Sequence, residues 1–474
     1  MKPDTHSRPS RATGPTTGLA LVLTAMFAVL AATPGLAGDS TTKPTRTRGI
    51  DWPTFLGPHR DARSPETGIL TTWPANGPRL VWQMPLGEGY AGASVAAGRA
   101  FLFDRDGDQA RLTAVRSETG EKLWQKRYPT AYEDMYGYSN GPRAVPVIDG
   151  DRVYTYGVEG HLRAHRVRDG KLLFDIDTIA RYGVKQNFFG VGATPLIEGD
   201  LLIVPVGGSP PDSPDIKSGE VTSNGSALVA FDKRSGEERY RLGDELASYS
   251  SPVIADIGGR RQGLYFARGG LLGFDPVRGK AGFHFPWRAK ILESVNAATP
   301  VVSGDRVFLT ETYGPGSVLL KLTQDGPEVV WKDPRRNHHL ASHWATPVLH
   351  EGTLYGVSGR GSGDAELRAL ALDTGEVHWR QKLPGRSSMI YADGYLVLLA
   401  EYGELWLVKA NPERFEKVAE AKPAGADGEP LLRHPAWNAP VLAHGLLYLR
   451  GKDRLIVLEL IPAPKPAASQ PAAP

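Results

Sequence analysis

The chain has 474 residues, more than one small core organises, with 55 glycines, 38 prolines and no cysteine. That composition excludes a disulfide frame, thiolate metal sites, c-type haem attachment and a lipidated N-terminal cysteine. With 55 basic against 52 acidic side chains, well interspersed, it also lacks the electrostatic footprint of a nucleic-acid or anionic-membrane binder.

The N-terminus reads as a secretory signal over residues 1–37. Lys2, Arg8 and Arg11 precede an apolar stretch at 19–32 broken only by Thr24, and Gly35-Leu36-Ala37 supplies small residues for cleavage before Gly38. The alternative is an uncleaved anchor, for which fourteen residues are short. Arg8 and Arg11 are not adjacent, which argues against a twin-arginine signal. The expected product is periplasmic or secreted, with no stable membrane anchor after cleavage.

From residue 78 onward a phrase recurs: apolar strand, glycine turn, apolar strand. Val145-Pro146-Val147-Ile148-Asp149-Gly150-Asp151-Arg152-Val153-Tyr154 is one copy, and Thr299-Pro300-Val301-Val302-Ser303-Gly304-Asp305-Arg306-Val307-Phe308 is another. The turn glycines fall at 98, 150, 199, 259, 304, 352, 394 and 445, which are 42 to 60 residues apart. That spacing matches a four-stranded propeller blade. A second phrase follows the first, with an aromatic four residues after its turn glycine: Gly120/Trp124, Gly170/Phe174, Gly236/Tyr240, Gly279/Phe283 and Gly375/Trp379. Glycine suits such turns because it takes positive φ without steric cost.

Counting inner strands gives an all-β fold, an eight-bladed β-propeller of four-stranded antiparallel blades over 78–460. The copy at Gly77-Pro78-Arg79-Leu80-Val81-Trp82 has no inner strands of its own, and the last copy (441–460) has no outer strand. The strand around Trp82 is therefore expected to complete the last blade and close the ring. Blade seven is the weakest copy, with Phe415 as its only aromatic candidate. Residues 38–77, which hold Trp52, Phe55 and Trp73, form an extension expected to pack on the ring, across its outside. Residues 461–474 are Pro/Ala-rich and read as a disordered tail.

The phrase Asp-Gly-Asp-Arg-Val-Tyr … Gly-x-Leu-x-Ala … Thr-Gly-Glu-x-x-Trp resembles the tryptophan-docking repeat of the pyrroloquinoline quinone (PQQ) propeller superfamily. Trp52-Pro53-Thr54-Phe55-Leu56-Gly57-Pro58 is similar to the opening of PQQ-binding-like repeat proteins. The resemblance implies that Trp82, Trp124, Trp331 and Trp379 pack against neighbouring blades. It implies two functions of different kinds. One is a non-catalytic envelope scaffold, BamB-like in architecture, that needs no cofactor and meets an envelope protein or peptide as a monomer. The other is a quinoprotein dehydrogenase holding PQQ and calcium over the ring centre with an aspartate base. No Glu/Asn/Asp set matches the dehydrogenase motif, and its vicinal cysteine pair is impossible here, so the scaffold reading leads and no catalytic or metal residue is assigned.

The turns after the inner strands are short and uniform, whereas the loops leading into those strands vary and carry aromatic, amide and basic groups. A repeat architecture keeps packing uniform and places recognition in such loops. The candidates for binding a partner or small ligand at the channel mouth are Tyr136, Tyr138, Asn140, Arg143, Gln186, Asn187, Phe188, Tyr249, Asn296, His343, Trp344 and Trp437. His338, His339, His343 and His434 read as polar surface rather than a metal centre, for want of cysteine or a paired carboxylate. The insertion 206–224 reads as a solvated loop or a lid.

Overall fold

The computed structural model describes residues 45–46, 48–185, 188–214, 221–292 and 294–463. The signal segment, Gln186, Asn187 and the tail from 464 onward lie outside the described residues. Eight sheets follow one another in chain order, over residues 94–129, 147–177, 196–242, 253–286, 301–332, 348–382, 387–421 and 441–459. The first seven contribute four consecutive antiparallel strands each, and together they make the eight-bladed propeller read from the repeats. The eighth has three strands of its own, and Leu80–Pro85 supplies the fourth by pairing antiparallel with Arg454–Glu459. The ring is closed as the sequence requires.

Position within a blade explains the residue pattern. Second strands, such as Thr353–Ser358 and Leu446–Arg450, are sandwiched between neighbouring blades and are buried along their whole length. They therefore read as unbroken apolar runs. Outer strands such as Val377–Lys382 alternate half-buried and exposed residues, so their aromatics face inward at every second position.

Those aromatics dock on the next blade. The indole N–H of Trp82 donates to the Ser117 carbonyl (2.9 Å), Trp124 to Val167 (2.8 Å), Trp331 to Leu372 (2.8 Å) and Trp379 to Asn411 (2.9 Å). The rings lie on the turn glycines of the blade that follows. A Cβ at Gly120 would stand 2.7 Å from the Trp82 ring, and one at Gly170 would stand 2.7 Å from Trp124. Each such glycine is fixed twice, by its positive φ and by the ring above it. Blade seven departs from the pattern: Phe415 leads into its outer strand and packs edge-on to Trp379, with Trp406 of the third strand beside it.

The N-terminal extension is placed differently from the sequence expectation. It crosses the end of the channel on the side of the short turns rather than the outside of the ring. Trp52 exchanges backbone hydrogen bonds with Val95 of blade one, and the Pro53 carbonyl accepts from Ile148 of blade two. Arg60 donates to the carbonyls of Pro195 and Pro252 in blades three and four. Arg63–Ser64 runs parallel to Tyr391 and Ala392 of blade seven, and the Glu66 carboxylate accepts the His444 and Gly445 N–H groups of blade eight. One segment thus ties six blades together. Its apolar residues are few, which is why periodicity alone could not assign it to the channel.

One contact in this tie titrates near neutrality. His444 Nε2 lies 2.8 Å from Asp51, and that hydrogen bond raises the imidazole pKa, with the Arg48 carbonyl and Glu66 adding to it. A raised folded-state pKa contributes stability that is fully present below the ordinary histidine value of about 6.5 and is lost as pH rises through the folded value. The protein should therefore melt at a higher temperature at pH 6 than at pH 8. His444→Gln should flatten that difference in a differential scanning experiment, and an unchanged slope would show that the contact carries no stability.

Candidate functional site

Between the floor made by the N-terminal segment and the loops leading into the inner strands lies a cavity of about 1120 Å³. It is larger than the usual range of about 300–1,000 Å³ for a small-molecule pocket. Trp52, Thr54, Phe55 and Leu56 form its bottom, and small or apolar residues at the starts of the inner strands, including Ala93, Val145, Ala297, Ala345 and Met389, form its wall. The wall is knitted by hydroxyls that reach from blade to blade. Thr194 accepts the Val145 N–H, Ser251 that of Thr194, Thr299 that of Ser251 and Thr346 that of Thr299. This belt satisfies backbone groups that the short inner strands leave unpaired, and it fixes the width of the channel.

The rim divides into two chemically different halves. On the side of blades one to four stand Tyr90, Tyr136, Tyr138, Phe188, Phe189 and Tyr249. Tyr136 lies 5.6 Å from Phe189, and Tyr138 contacts both Phe189 (5.8 Å) and Trp437 (6.1 Å). Tyr249 receives the Phe189 N–H on its hydroxyl (2.6 Å), and burial pushes its phenol far above the ordinary range, so it stays neutral. Tyr136 and Tyr138 are 48% and 57% exposed, so these two rings meet solvent while the other four are largely covered. Large apolar side chains are left open in this way where something else covers them.

The other half, from blades five to eight, carries polar groups among the rings. Trp344 and Trp437 lie 5.2 Å apart, and the Arg386 guanidinium sits over both, at 5.2 and 4.7 Å. Arg386 is anchored by Glu401, which accepts from its Nε (2.9 Å) and backbone N–H (2.8 Å) and also from the Trp437 indole (2.9 Å). Burial would raise the Glu401 carboxyl, but hydrogen bonds from Arg386, Trp437 and Ser362 outweigh it and hold the pKa down to about 2. His343 meets the Tyr313 hydroxyl at 2.9 Å. Burial first, and then Arg386 and Arg360, push its pKa down to about 4, so the ring is neutral at ordinary pH. Arg360 lies over Tyr313 at 4.5 Å, and Asp364 closes the Arg360 loop by accepting the backbone N–H groups of Arg360 and Gly361.

The structure brings together eight of the candidates read from the sequence: Tyr136, Tyr138, Arg143, Phe188, Tyr249, His343, Trp344 and Trp437 all line the cavity. Arg143 is held by an ion pair with the buried Asp134 and by the Gly141 and Ser139 carbonyls. Asn140 and Asn296 do not line the cavity. The Asn140 side chain accepts the Asp134 N–H (2.8 Å) and shapes its own loop. Asn296 is fully buried and donates to the Ala267, Arg268 and Trp287 carbonyls. Both amides were read as recognition groups because amides beside aromatics serve either role, and in each case the backbone claimed them.

Sequence reading missed Tyr90, Tyr313, Arg360, Asp364, Arg386 and Glu401. Four of these belong to the loops between second and third strands, which return the chain to the same end of the channel. The cluster Gly359-Arg360-Gly361-Ser362-Gly363-Asp364 was the one visible signal. In the 206–224 insertion, Asn224 ties the described ends down by donating to the Tyr182 and Ser209 carbonyls; residues 215–220 lie outside the described residues.

The carboxylates at the mouth are already engaged. Calcium takes six to eight oxygen ligands, yet Asp134 and Glu401 are committed to arginines and Asp364 to its own loop. Among the described residues no group of three or more His, Asp or Glu side chains is disposed to hold a metal ion. His338, His339, His343 and His434 do not converge; His434 stacks on Tyr402 instead.

A family profile described as "Outer membrane protein assembly factor BamB" matches residues 65–209 and 315–412, just over half of the chain. Among solved structures, BamB from Moraxella catarrhalis aligns with a TM-score of 0.55 at 16% identity, covering 80% of this chain and 96% of its own. Quinohemoprotein alcohol dehydrogenase from Comamonas testosteroni aligns with a TM-score of 0.50 at 14% identity, covering 90% and 83%. A computationally designed protein, Ika8, aligns at 0.51 with 10% identity, covering 81% and 100%. At these identities the likeness is one of fold. No curated protein matches the sequence.

Proposed function

The chain belongs to the BamB family of PQQ-like β-propellers, and from that premise we propose that it is an exported, non-catalytic binding scaffold of the cell envelope. It leaves the cytoplasm by a cleaved signal at 1–37, works as a monomer and engages an envelope component through the mouth of its channel. The observation that carries this reading is the blind cavity with a half-exposed aromatic rim, built on a rigid ring and closed below by the chain's own N-terminal segment. Its carboxylates are neutralised or bound by backbone, which supports a site for holding a ligand. Among the described residues no helix is long and apolar enough to cross a membrane.

Tyr136→Ala with Tyr138→Ala tests the site. Both side chains are exposed, so the melting temperature should stay within the spread expected for about 0.5 kcal/mol. Recovery of cross-linked envelope partners should fall sharply. Full recovery, with loss on mutating the outer rim instead, would place recognition on another face. The dehydrogenase reading has its own measurement: quinone retained after desalting from PQQ with calcium, together with alcohol-dependent dye reduction, would replace the scaffold by an enzyme.

A further inference from the structure

We propose that the cavity binds the end of an acidic oligosaccharide, with the sugar faces against the aromatic rim and a carboxylate held at Arg360. The inference rests on the mouth being the binding site and adds the chemistry of what it takes.

Four observations point to this class. The volume, about 1120 Å³, exceeds what one small ring fills and accommodates several linked ones. The aromatic faces that line it are mutually tilted, at 47° to 65° around Tyr136, Tyr138, Phe189, Trp344 and Trp437. An articulated chain of pyranose rings presents its C–H faces at changing angles and so meets such walls one ring at a time, whereas a single planar ligand meets only one of them.

The third observation is the distribution of charge. Arg143 and Arg386 are paired with Asp134 and Glu401, but Arg360 has no ion-pair partner among the described residues and is exposed at the rim. Asp364 beside it is occupied by two backbone N–H groups. The field at His343 is dominated by Arg386 and Arg360, with Asp364 the weaker influence. Arg360 thus adds a guanidinium without an ion-pair partner to the polar half of the mouth, on a chain that is close to neutral. A guanidinium free to present two parallel N–H groups is matched by a carboxylate.

The fourth is a buried donor. Trp344 lines the cavity, and its Nε1–H is buried without an acceptor among the described residues. An unmet buried donor is costly, and a small turn of the indole toward a ligand oxygen would satisfy it. Asn438 and Ser388, also on the lining, donate to the Tyr90 and Trp437 carbonyls, which leaves their oxygens as acceptors for sugar hydroxyls.

The test is a titration of the purified mature protein, followed by tryptophan fluorescence and calorimetry. The probes are a uronic-acid tetrasaccharide, a neutral tetrasaccharide of the same linkage and an acidic tetrapeptide. The uronic tetrasaccharide should bind, and the neutral one should bind about tenfold more weakly or worse, the loss of one charge-assisted hydrogen-bond pair. Arg360→Gln should lower affinity for the acidic sugar about tenfold while leaving the neutral sugar unchanged, and Trp344→Phe should weaken both. Equal binding of acidic and neutral sugars, or acidic binding untouched by Arg360→Gln, would overturn the proposal. So would preference for the acidic peptide, or no binding by a folded protein. If envelope cross-linking is still lost in the Tyr136/Tyr138 variant while no sugar binds, the site stands and the ligand class falls. If neither responds, both fall.

Discussion

Trp82→Ala should destabilise the protein by about 3–5 kcal/mol, the usual cost of emptying a large aromatic site. Trp82 is 8% exposed, rests on Gly120 and meets Tyr448 edge-on at 6.1 Å. It lies where the ends of the chain meet, so its loss acts on the seam of the ring rather than on an interior blade. The seam has further fastenings. The Tyr448 hydroxyl donates to the Ser117 carbonyl (2.9 Å). The buried Arg450 donates from blade eight to the carbonyls of Ala91, Phe103 and Gly87 near blade one. Deleting residues 78–84 should therefore lower the melting temperature further than the single substitution, because it also exposes two sheet edges. Truncation after Pro464 should change little. Denaturant titration distinguishes the cases, and a Trp82→Ala midpoint equal to that of the unmodified protein would show that the seam is not where the ring is held. Trp124→Ala and Trp379→Ala should cost less than Trp82→Ala, because both rings are half-buried.

The second large effect is expected at Glu401. Its carboxylate is fully buried, pairs with Arg386 and also accepts the Trp437 indole. Removing one partner of a buried ion pair strands the other, typically at about 3–5 kcal/mol. Glu401→Ala should lose that much stability and also let Arg386 and Trp437 leave their positions, so binding at the mouth falls with it. The pH dependence has a defined sign. A folded-state pKa held down to about 2 contributes stability that is present above the unfolded carboxyl value of about 4.3 and disappears as pH falls between the two. Glu401→Gln should remove this acid limb while keeping the shape of the side chain. An acid unfolding curve that is the same in the variant and the unmodified protein would contradict the assignment.

The blade repeat was legible because two constraints coincide in it. A turn glycine at positive φ and an aromatic four residues later mark five of the outer hairpins, and the aromatic of the preceding blade rests on each of those glycines. Local turn chemistry and long-range docking therefore write the same pattern into the chain. The closure at Trp82 followed from the same logic, since an outer strand without inner strands has to find a blade lacking one.

The site was only half legible. The aromatic half was visible because Tyr136, Tyr138 and Phe188 precede inner strands, where the repeat predicts the mouth. The polar half draws on both sets of loops: Arg360 and Glu401 follow second strands, Arg386 precedes an inner strand, and the curvature of the ring brings the three loops together. No sequence spacing records that convergence. Asn140 and Asn296 show the converse: both have the composition of a recognition loop, and both spend their amides on backbone. The N-terminal segment was misplaced for a related reason. Its hydrogen bonds to six blades run mostly through backbone, Arg60 and Glu66, which carry no periodic signal.

On the proposed reading, recognition takes place at the mouth of the channel and not on the outer rim of the ring. A photoreactive amino acid placed at Tyr138, and separately at Val277 on the far exposed turn of blade four (66% exposed), tests it in the native envelope. The account predicts a discrete adduct from position 138, lost on adding an excess of the ligand that fills the cavity, and none from position 277. Adducts from 277 with none from 138 would contradict it.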